Sequence, residues 1–389
     1  MEDIKTLDQT YVAHSYGRYP VTLVRGRGAE AWDDAGKRYI DLGSGIAVNT
    51  FGFADADWIQ AVTAQLQELQ HTSNLYYTGP CAKLARQLCK RTGLKRVFFG
   101  NSGAEANEGL IKAARRWAFL KYGDESHSTI VTLVNSFHGR TITTLSATGQ
   151  EAFHREFGPF TPGFVHAPVG DAARLRELTE ERGCCAVLIE LVQGEGGVMA
   201  LPRDYVEAIA ALCKEKELLL LVDEVQTGNG RTGSLYAFQQ YDISPDGVST
   251  AKGLAGGLPL GAVMLGERLQ DIFVPGSHGS TFGGNPVACA GALCNLERLD
   301  EACLAGVRER SGWLRAELTG APGVKAVTGL GLMVGLETEK AAGDVVLACL
   351  NRGVLVLTAH DRVRLLPPLN IPMPLLQEAV KILKEVLAP

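Results

Sequence analysis

From about residue 95 onward, short apolar runs alternate with helical patterns. R-V-F-F at 96–99 leads into a helical stretch at 104–120, whose apolar positions Leu110, Ala113, Ala114 and Trp117 recur at three- and four-residue spacing. T-I-V-T-L-V (129–134), A-V-L-I-E-L (186–191), L-L-L-L-V (218–222) and G-A-V-M-L (261–265) follow, with a second helical stretch at 204–217. Apolar runs separated by helices predict an α/β fold, a mostly parallel sheet with helices on both faces. Right-handed crossovers then gather the loops that follow the strands along one edge, where such sheets bind ligands.

The two ends of the chain read differently. Residues 28–41, G-A-E-A-W-D-D-A-G-K-R-Y-I-D, predict a hairpin turning at D-D-A-G. After residue 287 come helical patterns, a strand read over G-L-G-L-M-V-G-L-E (329–337) and an amphipathic helix at 375–387. A chain of 389 residues exceeds one compact core, and each end is short for a core of its own. The expected organisation is a large domain over 51–286 and a smaller α+β domain formed by 1–50 together with 287–389.

Composition narrows the partners. A hydrophobic fraction of 46%, a charged fraction of 21% and 45 glycines describe a loop-rich globule, and a net charge of −5 without a basic block points to small molecules rather than nucleic acid. The apolar runs are far shorter than the ~20 residues of a membrane helix, and M-E-D-I-K-T-L lacks the apolar core of a secretion signal, so no membrane contact and a cytoplasmic location are expected. The nine cysteines lie in apolar contexts without C-x-x-C and read as buried free thiols. Histidine spacing offers no metal site.

Lys252 stands among small residues in S-T-A-K-G-L-A-G-G-L-P-L-G (249–261), downstream of Asp223, which closes the L-L-L-L-V run. A lysine so placed suits covalent chemistry on a carbonyl cofactor. A desolvated Asp223 requires a partner, either a cationic ring N–H of a cofactor or an Arg or Lys. In G-N-S-G-A-E-A-N (100–107), Ser102, Gly103 and Ala104 open a helix, and two readings stand: a phosphate site, or a capping box of Ser102 with Glu105. S-F-H-G-R-T (136–141) offers Phe137 to stack on a flat ring and Arg140 for a carboxylate. Thr281 in H-G-S-T-F-G-G-N-P is a further phosphate donor, Glu195 lies among glycines at 190–198, and Arg364 ends a predicted strand. G-N-G-R-T-G at 228–233 matches a dinucleotide fingerprint, but D-E-V-Q-T separates it from the strand, which leaves a nicotinamide dehydrogenase as a rival class only.

Taken in order, Y-G-R-Y-P (16–20), S-G-I-A-V-N (44–49), H-T-S-N-L-Y-Y-T (71–78), N-S-G-A-E-A-N-E (101–108) and R-L-L-P-P-L (364–369) make the chain resemble the fold-type I, class III (ω-) aminotransferases that depend on pyridoxal 5′-phosphate. The resemblance covers essentially the whole chain. It implies that Lys252 bonds covalently to the cofactor, that Asp223 pairs with the ring nitrogen, and that Gln226 lies near the ring's phenolic oxygen. Phe137 would stack on the ring with His138 beside it, and Ser102, Gly103 and Ala104 would hold the phosphate. Thr281 would reach the phosphate in a neighbouring subunit, which makes the expected assembly a homodimer with shared sites. Arg140 would hold the substrate carboxylate far from the reacting amine and Arg364 the α-carboxylate of glutamate or 2-oxoglutarate. Glu195 would gate Arg364, and Ser280 and Tyr16 would face substrate.

Within the class, the chain most resembles enzymes of arginine biosynthesis that act on N2-acetyl-L-ornithine and 2-oxoglutarate. Succinylornithine, ornithine, 4-aminobutyrate and N-succinyl-diaminopimelate stay as alternative amino donors, ornithine because Tyr16 matches a residue that recognises its free α-amino group. An inactive binding protein on the same fold is the alternative outside catalysis. Two departures stand out: G-F-A-D at 52–55, where the class has G-H-x-H, and Leu191 in place of a proline.

Overall fold

The computed structural model describes residues 3–181 and 183–388, so the outer limits of the expected small domain, at 1 and 389, lie outside the described residues. A seven-stranded sheet runs in the order Arg96–Gly100, Gly261–Leu265, Gly247–Thr250, Leu219–Asp223, Cys184–Glu190, Thr129–Leu133, Phe164–Ala167. Only Gly261–Leu265 runs antiparallel to its neighbours, so the sheet is mixed and mostly parallel.

The unbroken apolar runs have a direct cause. Successive side chains of a strand point to opposite faces, and here both faces are covered. Ala186, Leu188, Leu219 and Leu221 pack with Leu110, Ala113 and Ala114 of helix Gly103–Tyr122. Val187, Ile189, Leu220 and Val222 pack on the other side with Tyr205, Val206 and Ile209 of helix Arg203–Glu215.

Strand pairing sets Asp223 directly beside Glu190 on one side and Ser249 on the other. These three positions close adjacent parallel strands, so the loops that follow them open on one edge.

The D-D-A-G hairpin is present. Glu30–Asp33 pairs with Arg38–Asp41, and Gly36 N–H donates to the Asp33 carbonyl at 3.1 Å. Val354–Leu355 pairs in parallel with Arg38–Asp41.

The stretch 329–337, read as one strand, is instead the turn and second arm of a hairpin. Val324–Leu330 pairs with Met333–Thr338, and Leu330 faces Met333 across Gly331 and Leu332. Gly331 has φ +59°, and a Cβ there would sit 2.4 Å from Thr232 Cα. The apolar pattern hid the turn because Leu332 and Met333 are both buried.

That hairpin explains the G-N-G-R-T-G motif. Residues 228–233 form consecutive turns, and Arg231 is buried, donating to the carbonyls of Leu332 (3.1 Å) and Pro367 (2.5 Å). No helix opens at its last glycine, so the segment fastens the C-terminal hairpin to the large sheet and lacks the geometry of a dinucleotide site.

All nine cysteines are free. Cys184, Cys185, Cys213, Cys289 and Cys349 are buried as expected, whereas Cys81, Cys89, Cys294 and Cys303 are only half-buried. Among the described residues, no helix is long and apolar enough to cross a membrane.

Candidate active site

A cavity of about 450 Å³ lies on the edge where the parallel strands end, within the usual range of small-molecule sites, roughly 300–1,000 Å³. Each strand feeds it through the loop that follows. Arg96–Gly100 leads to Ser102, Gly103 and Ala104; Thr129–Leu133 to Phe137, His138 and Arg140; Leu219–Asp223 to Asp223 and Gln226; Gly247–Thr250 to Lys252. Nine of the fourteen residues singled out from the sequence therefore line one space.

Asp223 sits at its floor, 4% exposed. Its Oδ2 accepts from Asn107 Nδ2 at 2.7 Å and lies 2.8 Å from His138 Nδ1, while Oδ1 accepts from Val225 N–H at 2.9 Å. The partner that a desolvated carboxylate requires is thus a histidine and an amide, and among the described residues no Arg or Lys pairs with it. Asn107 is fixed in turn, donating to the His138 carbonyl (2.8 Å) and accepting from Ser249 Oγ (2.7 Å). The other ring nitrogen, His138 Nε2, is buried without a partner among the described residues.

Lys252 follows strand Gly247–Thr250 with φ +44°, a left-handed conformation that costs a non-glycine residue roughly 1–3 kcal/mol. Burial pushes its amine below the ordinary lysine range. The charge of Glu195 opposes that shift, and Arg364 reinforces it. Its backbone is held by the buried sheet, so the strain persists.

The helix that follows strand Arg96–Gly100 begins just after Ser102. Ser102 Oγ accepts from Glu105 N–H at 3.2 Å, and Glu105 Oε2 accepts from Ser102 Oγ (3.0 Å) and Asn101 N–H (2.8 Å). Ser102 is therefore the N-cap, but the Glu105 side chain returns to Ser102 Oγ and Asn101 N–H rather than to Ser102 N–H, so only half of the capping box forms. Gly103 and Ala104, whose N–H groups lack carbonyl partners one turn back, line the cavity at the positive end of the helix dipole.

Glu195 and Arg364 lie outside the cavity lining but touch it through Gln226. Arg364 Nη1 donates to Glu195 Oε1 at 2.6 Å and to Gln226 Oε1 at 3.2 Å, and Gln226 Nε2 reaches Glu195 at 3.4 Å. Burial alone would raise the Glu195 carboxyl; the Arg364 charge and hydrogen bond more than offset it and hold the group below its usual range. The loop carrying Glu195 is tied to the C-terminal sheet, since the Gly197 carbonyl accepts from Arg362 Nη1 at 3.2 Å.

Three residues are not brought to the cavity of their own chain. Tyr16 is 73% exposed in the N-terminal segment, and Thr281 is exposed as well. Ser280 accepts from Asn101 Nδ2 (3.1 Å) and Gly283 N–H (3.0 Å), which makes it a brace of the 280–283 loop.

Sequence reasoning gave no role to Asn107 or Glu190. Asn107 precedes Leu110 by three residues and Ala114 by seven, so the helical period already placed an amide on the buried face. Glu190 lines the cavity, accepting from Phe137 N–H at 2.7 Å and Gly194 N–H at 3.3 Å. Burial pushes its carboxyl well up, and the neighbouring Asp223 charge adds to that. The signal for it was the same as for Asp223: an acid closing an apolar strand.

The two departures from the class pattern lie elsewhere. Asp55 caps helix Ala56–Glu68 through Trp58 N–H at 3.0 Å and pairs with Arg298 at 2.5 Å. Leu191 is fully buried.

A family model described as aminotransferase class-III matches residues 11–387. An acetylornithine aminotransferase of Haemophilus ducreyi is 50% identical over 389 residues, covering 100% of this chain and 99% of the relative. Among solved structures, the ornithine aminotransferase from Toxoplasma gondii superposes with a TM-score of 0.94 at 34% identity, covering 99% of this chain and 94% of that one. The N-acetylornithine aminotransferase from Stenotrophomonas maltophilia K279a gives a TM-score of 0.85, also at 34% identity, covering 98% and 97%.

Proposed function

The chain belongs to the class-III aminotransferases, and from that premise we propose that it moves the terminal amino group of N2-acetyl-L-ornithine to 2-oxoglutarate, giving N-acetyl-L-glutamate 5-semialdehyde and L-glutamate. Relatives at 40–50% identity over nearly their full length carry the matching name. The observation that carries the reading is the unequal state of two arginines. Arg140 lines the cavity with no carboxylate partner among the described residues, while Arg364 is neutralised by Glu195 at 2.6 Å. A site that must take a long donor with one distal carboxylate and then a dicarboxylate needs one permanent anion clamp and one that can be masked.

The residues fit pyridoxal 5′-phosphate. The orphaned His138 Nε2, the free N–H groups of Gly103 and Ala104, the face of Phe137 and the carboxylate of Asp223 all converge on the space that Lys252 enters. Bound there, the cofactor supplies an aldehyde for covalent attachment and a ring that accepts the electron pair of a broken C–H bond. In this reading Lys252 Nζ provides the attachment and then moves a proton off and onto the amine-bearing carbon, as base and as acid. Asp223, braced by Asn107 and His138, keeps a proton on the ring nitrogen. Gln226 would donate to the phenolic oxygen, and Gly103 and Ala104 with Ser102 would hold the phosphate. Arg140 takes the substrate's distal carboxylate.

A panel of N2-acetylornithine, succinylornithine, ornithine, 4-aminobutyrate and N-succinyl-diaminopimelate with 2-oxoglutarate tests the choice of donor. The reading expects the highest kcat/KM for acetylornithine, and a higher value for any other donor overturns it. Glu195→Ala unmasks Arg364 permanently, so single-turnover rates with acetylornithine and with glutamate diverge from wild type by roughly 10- to 100-fold, the worth of one charge-assisted hydrogen bond. Equal changes in both half-reactions would remove the gate.

The working unit is proposed to be a homodimer with shared sites. Leu75 (88% exposed), Tyr76 and Tyr77 adjoin Asn74, whose side chain bonds the Ser280 and Gly283 carbonyls, both at 2.9 Å, and so share a surface with exposed Thr281 and Phe282. A contiguous apolar patch of this kind beside a binding site fits a protein interface. Sedimentation is expected to give a dimer, and Thr281→Ala to weaken cofactor binding although Thr281 lies outside its own chain's cavity. A monomer that holds the cofactor as tightly with and without Thr281 would contradict this.

A further inference from the structure

Arg140 carries the recognition of a substrate carboxylate in the reading above, yet nothing charged holds it in place. Its guanidinium lies 4.1 Å from the centre of the Phe153 ring and 5.4 Å from that of Phe137, and it makes no ion pair or side-chain hydrogen bond among the described residues. All five of its N–H donors are therefore available, and the group lies against π faces alone.

Phe153 stands behind the cavity lining, against Phe137 and Arg140. It ends a short turn, Glu151–Phe153, and meets Phe137 edge-on with ring centres 5.8 Å apart. The residues before the turn are stitched to the strap that carries Phe137. Gly149 N–H donates to Ser136 Oγ at 3.0 Å, Asn135 N–H to the Gly149 carbonyl at 2.8 Å, and Gln150 Nε2 to the Ser136 carbonyl at 3.1 Å. After it, His154 Nε2 is 2.8 Å from the Leu145 carbonyl. On Arg140's own side, Gly139 takes φ +141°, where a Cβ would lie 2.5 Å from Thr144 Oγ1. The segment carrying Phe153 is thus held by hydrogen bonds on both sides, independently of any ligand.

We propose that Phe153 is a positioning residue for substrate recognition: its ring holds the Arg140 guanidinium in the orientation that accepts the distal carboxylate. The inference rests on the proposed role of Arg140 and deepens it. An arginine already ordered before its ligand arrives loses less rotamer freedom on binding. An aromatic face orients the group without neutralising it or occupying its donors, which a carboxylate would do.

Phe153→Leu, with Phe153→Met as a second variant of closer volume, removes the π face. Steady-state assays of the holoenzyme are expected to show KM for acetylornithine raised roughly 3- to 10-fold with kcat little changed. Phe153→Tyr should restore the wild-type KM. N-acetyl-1,4-diaminobutane, the same donor without its carboxylate, should be turned over with unchanged kcat/KM by the Leu and Met variants. In an Arg140→Ala background, Phe153→Leu should add nothing.

An unchanged KM in both variants overturns the inference, as does an equal loss with the carboxylate-free amine or a full additive loss on top of Arg140→Ala. If Arg140→Ala alone leaves KM for acetylornithine untouched, the role of Arg140 falls first and this inference with it. If Arg140→Ala raises KM and the Phe153 variants do not, only the inference falls.

Discussion

Lys252→Ala is expected to lower turnover by roughly 10⁴-fold or more, the combined loss of a covalent anchor and a general acid–base group, while leaving the fold intact. Among the described residues, no other that lines the cavity carries an amine to take over. The backbone at Lys252 adopts φ +44° and the neighbouring strand is fully buried, so the side chain enters the site from a fixed point. Lys252→Arg should be equally inactive, because a guanidinium stays protonated throughout the working pH range and cannot accept a proton. Borohydride treatment followed by peptide mass analysis checks the linkage: the cofactor should be fixed on Lys252 in wild type and on no residue in the alanine variant. Retention of more than about a hundredth of the wild-type rate, against the expected loss, would rule out the assigned role.

The pH profile carries the same argument. Lys252 must be the free base to remove a proton, so activity falls as pH drops through its pKa. Burial places that pKa below the ordinary lysine value, about 10.4. The acidic limb governed by this group should therefore lie below the range of a solvated lysine. Glu195→Ala removes a charge that favours the protonated amine, and should move the limb lower still.

How much of this was legible in the sequence depends on whether a residue's role is set by local pattern or by what crosses to it. The central strands were legible because their apolar runs are continuous, a pattern that only two covered faces produce; Ala186 and Val187 point into different cores. The loops at the strand ends were legible for the same reason, since Asp223 and Lys252 mark where burial stops. The hairpin at Gly331 was not, because its turn residue Leu332 is buried against Arg231 by a distant segment, and hydropathy cannot register that. Asn107 was passed over as an ordinary helix residue; its task appears only when strand pairing brings Asp223 and Ser249 side by side. Tyr16 and Thr281 show the opposite limit. Motif order groups them with the site, while the fold of one chain leaves both exposed.

Asp223→Asn should lower kcat by roughly 10²–10³-fold, the cost of removing one preorganised electrostatic partner, and should also weaken cofactor binding. The substitution is close in shape but wrong in polarity. Asp223 Oδ2 faces Asn107 Nδ2 at 2.7 Å and His138 Nδ1 at 2.8 Å, and Oδ1 faces Val225 N–H at 2.9 Å. An asparagine amide must turn its NH₂ toward either the first pair or the last, so each orientation sets a donor against a donor in a buried site, at about 1–3 kcal/mol. It also leaves no negative charge to hold a proton on the ring nitrogen, and the ring becomes a poorer acceptor for the electrons that Lys252 releases from carbon. Because solvent can supply that proton when the carboxylate cannot, the deficit should shrink as pH is lowered, whereas Lys252→Ala should show no such recovery. Equilibrium binding of the cofactor and rapid-quench rates across pH separate the two variants. An Asp223→Asn enzyme within about fivefold of wild type at neutral pH, well short of the expected loss, would mean that the Asn107–Asp223–His138 assembly serves only the fold.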